Sequence, residues 1–305
     1  MLRRLFFLKL LPEVLFFGWL TALLATSPAV LAQADSGRVI RVAVLHGDPQ
    51  PFRVPLAVLE HAFSRLTPAA RMELVSIADM NQQRALVSMA NHQSSFDLFF
   101  SGFSAQREQQ LLQIDVPLTM GLLGARVLVV NSDRAEWLQH AIRTPAQLKK
   151  LSVGSGIHWP DSKILLHNGF NVVQTGYDGL WKMLSSGRID VFARGVEEAF
   201  GEVAQRAGQQ PAPQISRSWL LIYPLDYFVY LGPDKQALYQ ELNQVLAELH
   251  QTGAIETLIR QHPDGKQALH WLTTSKARTL YLENPLLSER IRDIPADYWL
   301  PEVSR

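Results

Sequence analysis

Hydrophobic residues in this chain fall into short β-branched runs separated by longer stretches with helical spacing. Arg38-Val39-Ile40-Arg41-Val42-Ala43-Val44-Leu45 is apolar on both faces toward its end and predicts a buried first strand. His46-Gly47-Asp48-Pro49-Gln50-Pro51 follows and, by its Gly and Pro content, is a turn. The spacing then predicts a helix over 54–66, a strand over 72–77, a helix over 81–91 and a strand over 96–101.

Arg126-Val127-Leu128-Val129-Val130 is a further strand, and from Ser152 the rhythm resumes. SVGSG reads as strand and glycine turn, then helix, strand, helix, strand and helix as far as Glu202. A strand-like stretch over 220–231, an amphipathic helix over 234–250 and a helix opened by Gly253 complete the pattern. Strands alternating with helices imply an α/β protein with mainly parallel sheets flanked by helices. The simplest assembly has two lobes: residues 33–128 together with 228–305, and residues 129–227, with a ligand cleft at the hinge between them.

Arg3, Arg4 and Lys9 precede an apolar run over 14–24, and Val30-Leu31-Ala32 or Ala32-Gln33-Ala34 offers a small-residue cleavage site. Residues 1–32 therefore read as a secretory signal, because the run is shorter than the roughly 20 residues that span a bilayer. The expectation is a soluble, monomeric periplasmic protein. It has no cysteine, so disulfides and thiolate chemistry are excluded and stability must come from burial. Arg3, Arg4, Lys9 and Glu13 all lie in the leader, so its removal takes the formal net charge from +1 to −1. A near-neutral chain without a basic run argues against nucleic acid as a partner. His46, His61, His92, His140, His158 and His167 are scattered over different elements, and no metal or other cofactor is expected.

Several motifs in order resemble one family. The first strand with Pro51-Phe52, Ser101-Gly102-Phe103-Ser104-Ala105-Gln106-Arg107, Asp115-Val116-Pro117-Leu118, Gly187-Arg188-Ile189-Asp190 and the helix around 253–258 together look like the family 3 periplasmic solute-binding proteins of the polar amino acid type. The resemblance implies a two-lobed type II-like binding protein that takes an amino-acid-like or acidic solute. It also implies a receptor role for an ABC permease in the inner membrane. Carried over residue by residue, it gives Arg107 the ligand carboxylate, a role that the planar guanidinium fork suits. Ser101 and Ser104 become donors of the same loop and Phe52 an aromatic flank.

Gly154, Ser155 and Gly156 are expected to turn backbone N–H groups toward the ligand, with Trp159 just beyond and Asp48 in the first turn. Asp190 and Arg194 are expected at the C-terminal end of a strand, where open α/β sheets place ligands. Where amino acid binders of the family carry an aspartate for the ligand ammonium, this chain has Gly195. Glu197 or Glu198 could replace that carboxylate from one helical turn further on. Two cations facing the cleft, Arg107 and Arg194, would otherwise demand a doubly acidic ligand; the alternative has Arg194 turned outward in a helix-start ion pair with Glu197 or Glu198. The competing readings are an enzyme on the same scaffold, resembling cyclohexadienyl dehydratase and drawing on Asp48, His158, Asp161 or Glu197, and an orphan sensory module.

Overall fold

The computed structural model describes residues 37–45 and 47–303; the leader and His46 lie outside them. A first sheet begins with β1 (Arg38–Leu45), followed by α1 (Arg53–Ser64), β2 (Ala70–Ile77), α2 (Gln82–Ala90), β3 (Leu98–Gly102), α3 (Ala105–Gln110) and β4 (Leu112–Ile114). The burial of β1 alternates at its start and becomes complete over its last four residues, as its β-branched run predicts. Asn81 starts α2 by accepting a hydrogen bond from the Arg84 N–H at 2.9 Å.

The chain then builds a second sheet. Its elements are β5 (Ala125–Asn131), α4 (Ala135–Ala141), α5 (Pro145–Leu148), β6 (Ser152–Gly156), α6 (Pro160–His167), β7 (Asn171–Thr175), α7 (Tyr177–Ser185), β8 (Val191–Gly195), α8 (Val196–Gln205) and β9 (Pro213–Ile222). It returns to the first sheet through β10 (Tyr227–Leu231), followed by α9 (Gln236–Gln251), α10 (Ala254–Gln261) and α11 (Pro263–Thr274). The apolar stretch over 220–231 is therefore two strands in different sheets. The connection between them, with Pro224 and the fully buried Asp226, is one of the crossings from one sheet to the other.

The strand orders are β2-β1-β3-β10-β4 and β11-β9-β5-β8-β6-β7, where β11 is Arg278–Tyr281. Both sheets are mixed: the first has as many parallel as antiparallel pairings, and the second is mainly parallel, with three parallel pairings of five. Helix crossovers make β1, β2 and β3 parallel, and likewise β6, β7 and β8, whereas β10 is antiparallel to β3 and β5 is antiparallel to β8 and β9. Among the described residues no helix is long and apolar enough to cross a membrane.

The C-terminal tail departs from its expected place in the first lobe. Strand β11 pairs in parallel with β9 on the second sheet, and beyond it Asn284 donates to the Pro224 carbonyl at 2.7 Å. Asn168, which caps α6, holds both the N–H and the carbonyl of Glu283. The tail then crosses to the first sheet. Arg290, in the short helix α12 (Glu289–Arg292), reaches Asp115 at 2.5 Å and the Gln113 carbonyl at 2.8 Å, and the Leu300 N–H meets the Met120 carbonyl at 2.9 Å. One strap thus touches both sheets and the segments that connect them.

Candidate functional site

Leu45 at the end of β1, Gly102 at the end of β3 and Arg194 near the end of β8 line one cavity, in the crevice beyond the C-terminal ends of strands. Its volume is about 40 Å³. That holds a few waters at roughly 10–15 Å³ of such space each, whereas small-molecule pockets run to about 300–1,000 Å³. The protein's own side chains fill the remainder.

Aromatic rings form part of this filling. Phe52 meets Phe100 edge-on at 5.5 Å and Tyr227 at 6.0 Å, while Trp159 from the other lobe stacks on Phe192 at 6.4 Å. Buried ions form the rest. Arg126, on β5, pairs with Asp161 at 2.5 Å and with Glu198 at 3.3 Å. Arg194 pairs with Glu198 at 3.0 Å and holds Glu202 through two donors, at 2.7 and 2.9 Å. Tyr223 donates to Asp161 at 2.7 Å and Tyr177 to Glu202 at 2.5 Å, and the Tyr227 hydroxyl donates to Glu198 from the opposite lobe. Burial alone would lower both guanidinium pKa values, but the neighbouring carboxylates carry Arg126 and Arg194 above the ordinary arginine value.

This network corrects the expectation of two unpaired cations. Arg194 is buried and faces inward, and its carboxylate partners among the described residues are Glu198 and Glu202, not Glu197. Glu202 lies one helical turn beyond Glu198 on α8, so the two carboxylates share the face that meets the arginine. Glu197 is buried, and neither of its oxygens has a hydrogen-bond partner among the described residues. Burial, reinforced by Glu198, raises its carboxyl well above the usual range. Gly195 is small for a packing reason: a Cβ there would lie 2.7 Å from a Glu197 oxygen and 2.9 Å from a Glu198 oxygen. The space an aspartate would need is held by two glutamates.

Other expected positions are also reassigned. Asp190 precedes β8 at the far end from the cavity, where it accepts from the Ser152 N–H and hydroxyl and pairs with Arg134. Gly154 and Gly156 belong to strand β6, not to a turn; at Gly156 a Cβ would overlap the Trp159 indole, so the glycine makes room for that ring. Ser155 accepts from Ser162 at 2.8 Å. Asp48 caps the Gln50 N–H at 2.9 Å and meets Gln205 of α8 at 3.4 Å, and it does not line the cavity.

Arg107 is buried and pairs with no carboxylate among the described residues. Its guanidinium donates to Ser101 at 2.9 Å, Gln82 at 2.7 Å, the Gly102 carbonyl and, across the lobes, the His158 carbonyl at 3.4 Å; its Nε–H has no partner. Burial pulls its pKa below the ordinary value. Ser104 caps α3 by accepting from the Arg107 N–H. On the far side of Trp159 and Pro160, Arg107 lines a more open pocket of about 400 Å³ with Ser104, His158 and Lys163.

Of the expected residues, the structure brings Phe52, Trp159 and Arg194 to the cavity wall. Glu198, named as a possible carboxylate, and Asp161, named for the enzyme reading, also line it; the wall residues not singled out from the sequence include Arg126, Tyr177 and Tyr227. Arg126 carried a signal in the sequence: a cation inside the otherwise apolar Ala-Arg-Val-Leu-Val-Val run must find carboxylates if the strand is buried on both faces.

No family model matches the chain, and no curated protein matches it. Solved structures do match. An ancestral arginine-binding protein bound to arginine superposes with a TM-score of 0.53 at 15% identity, over 73% of this chain and 97% of that one. An arginine 3rd transport system periplasmic binding protein from Legionella pneumophila gives 0.54 at 13%, over 73% and 98%. The GluR0 ligand-binding core from Nostoc punctiforme in complex with L-glutamate gives 0.51 at 14%, over 74% and 99%. At these identities the likeness is one of fold: two mixed α/β lobes of the periplasmic binding protein type.

Proposed function

We propose that this is an exported, monomeric solute-binding protein that closes its lobes on a small amino-acid-like molecule, as the receptor of an ABC permease. The observation that carries the reading is the uneven placement of charge between the lobes. Asp161, Glu198 and Glu202 on the second lobe, three carboxylates, meet only two cations, Arg126 and Arg194, whereas Arg107 on the first lobe has neutral partners and a spare N–H. A ligand carboxylate suits Arg107 and a ligand ammonium suits the carboxylate-rich wall, which places an amino acid ahead of the dicarboxylate that two unpaired arginines would have favoured. Ligand entry requires the lobes to part, because about 40 Å³ excludes anything larger than water.

The test is a thermal-shift screen of amino acids and dicarboxylates, with each hit confirmed by calorimetry and by a change in intrinsic tryptophan fluorescence that Trp159→Phe removes. Amino acids should raise the midpoint by mass action, and Arg107→Ala should weaken the best of them by roughly 2–5 kcal/mol. Stabilisation by dicarboxylates alone would overturn the assignment of the acidic wall, and an affinity untouched by Arg107→Ala would overturn the anchor.

A further inference from the structure

Away from the cleft, on the second lobe, a concavity of about 460 Å³ opens where α4, β9 and the start of β11 converge. Its wall carries Arg143, Arg217, Lys276 and Arg278, with His140 beside them, and among the described residues no Asp or Glu lines it. None of these four cations has a carboxylate partner among the described residues. Arg143 donates to the His140 carbonyl at 2.9 Å, and Arg278 lies 5.7 Å from the Trp219 ring centroid. An adjoining pocket of about 190 Å³ shares Arg217, adds His270 and is likewise free of acidic side chains.

The helix ends nearby do not account for this charge. The C-termini of α4 and α11 point carbonyls toward the region, but each is equivalent to about half a negative charge. Together they offset roughly one of the four cations, in a chain whose net charge without its leader is negative. A second observation points the same way. Ser218, on β9 between these residues, is buried and lines the concavity, and its hydroxyl has no hydrogen-bond partner among the described residues. A buried hydroxyl is ordinarily satisfied, so this one is a donor awaiting an acceptor.

We propose that this basin binds a phosphate-bearing polyanion, its oxygens bridging Arg217, Lys276 and Arg278 and accepting from Ser218. Guanidinium forks and an ammonium suit phosphate oxygens, and the volume fits a small phosphorylated group. The site is independent of the solute cleft, so either can fail without the other.

Calorimetric titration with tripolyphosphate, at low and at high salt, tests it. Binding should weaken at high salt, and Arg217→Ser with Lys276→Ser should reduce the affinity by at least about tenfold while the thermal midpoint stays near that of the unmodified protein, since both side chains are exposed. Ser218→Ala should also weaken it, because a hydroxyl donor to a charged acceptor is lost. A charge-matched control, Arg65→Ser with Lys182→Ser, should leave it unchanged. Sedimentation with phosphatidylglycerol vesicles separates the two sources of phosphate. Retention abolished by the Arg217 and Lys276 changes assigns the site to a lipid headgroup, and tripolyphosphate binding without retention assigns it to a soluble phosphorylated compound. The proposal is overturned if neither probe binds, or if the control pair weakens binding as much as the basin pair.

Discussion

The hydroxyl of Tyr227, on the first sheet, donates to the carboxylate of Glu198, at the start of α8 on the second lobe. Glu198 also takes Arg126, Arg194 and the Gly195 N–H, so one buried carboxylate joins four groups and both lobes. Opening the cleft must break the tyrosine contact and leave the two ion pairs standing.

Tyr227→Phe therefore selects against the closed form without disturbing charge. A hydrogen bond to a buried charged acceptor contributes about 1.5–3 kcal/mol, and urea denaturation should show a loss in that range. Small-angle scattering should report a larger radius of gyration for the variant. An unchanged radius together with unchanged stability would remove Tyr227 from the latch.

Replacing Arg194 by Leu should be far more damaging, because Glu202 loses both of its guanidinium donors and Glu198 keeps Arg126, Tyr227 and the Gly195 N–H but loses one of its two cations. Stranding buried carboxylates in this way costs about 3–5 kcal/mol. Adding Glu202→Gln to Arg194→Leu should recover part of that loss, and a double-mutant cycle on chemical denaturation measures the coupling. Independent, additive effects would contradict the bidentate geometry.

Buried acids set the pH response. Burial raises Asp226 to about 6, against the opposing hydrogen bonds from Gly121 and Thr119, and raises Glu197 well above its ordinary value. Between the unfolded and folded pKa values the native state binds the extra protons, so stability falls as pH rises from about 4 toward 6 and beyond. Glu197→Gln removes one ionisation of this kind. Its thermal midpoint should exceed that of the unmodified protein at pH 8 and converge with it near pH 4. A midpoint difference independent of pH would mean that Glu197 is ionised at no cost.

The tail that follows β11 fastens both sheets, so removing residues 283–305 should favour the open form and speed ligand entry in stopped-flow fluorescence. Arg290→Ala alone should cost less than about 1 kcal/mol, since its pair with Asp115 is partly exposed. A truncated chain with unaltered ligand kinetics would show that the strap supports the fold without restraining the hinge.

Local pattern carried the secondary structure. The β-branched run over 38–45 and the amphipathic stretch over 54–66 became β1 and α1 with boundaries shifted by at most two residues, because residues a few positions apart decide strand and helix periodicity. The α/β alternation was also legible from spacing, while Phe52 came from the family resemblance and Trp159 from its place just after Gly156. Side-chain pairing was not. Asp161 stands 35 positions from Arg126, Glu198 stands 29 from Tyr227, and β11 joins β9 across 56 residues or more; only the folded sheets bring these together. Arg194 shows the limit most clearly. From the sequence it could face a ligand or solvent, and its orientation was decided by the α8 face that carries Glu198 and Glu202 into a dry interior, where an unpaired guanidinium could not remain.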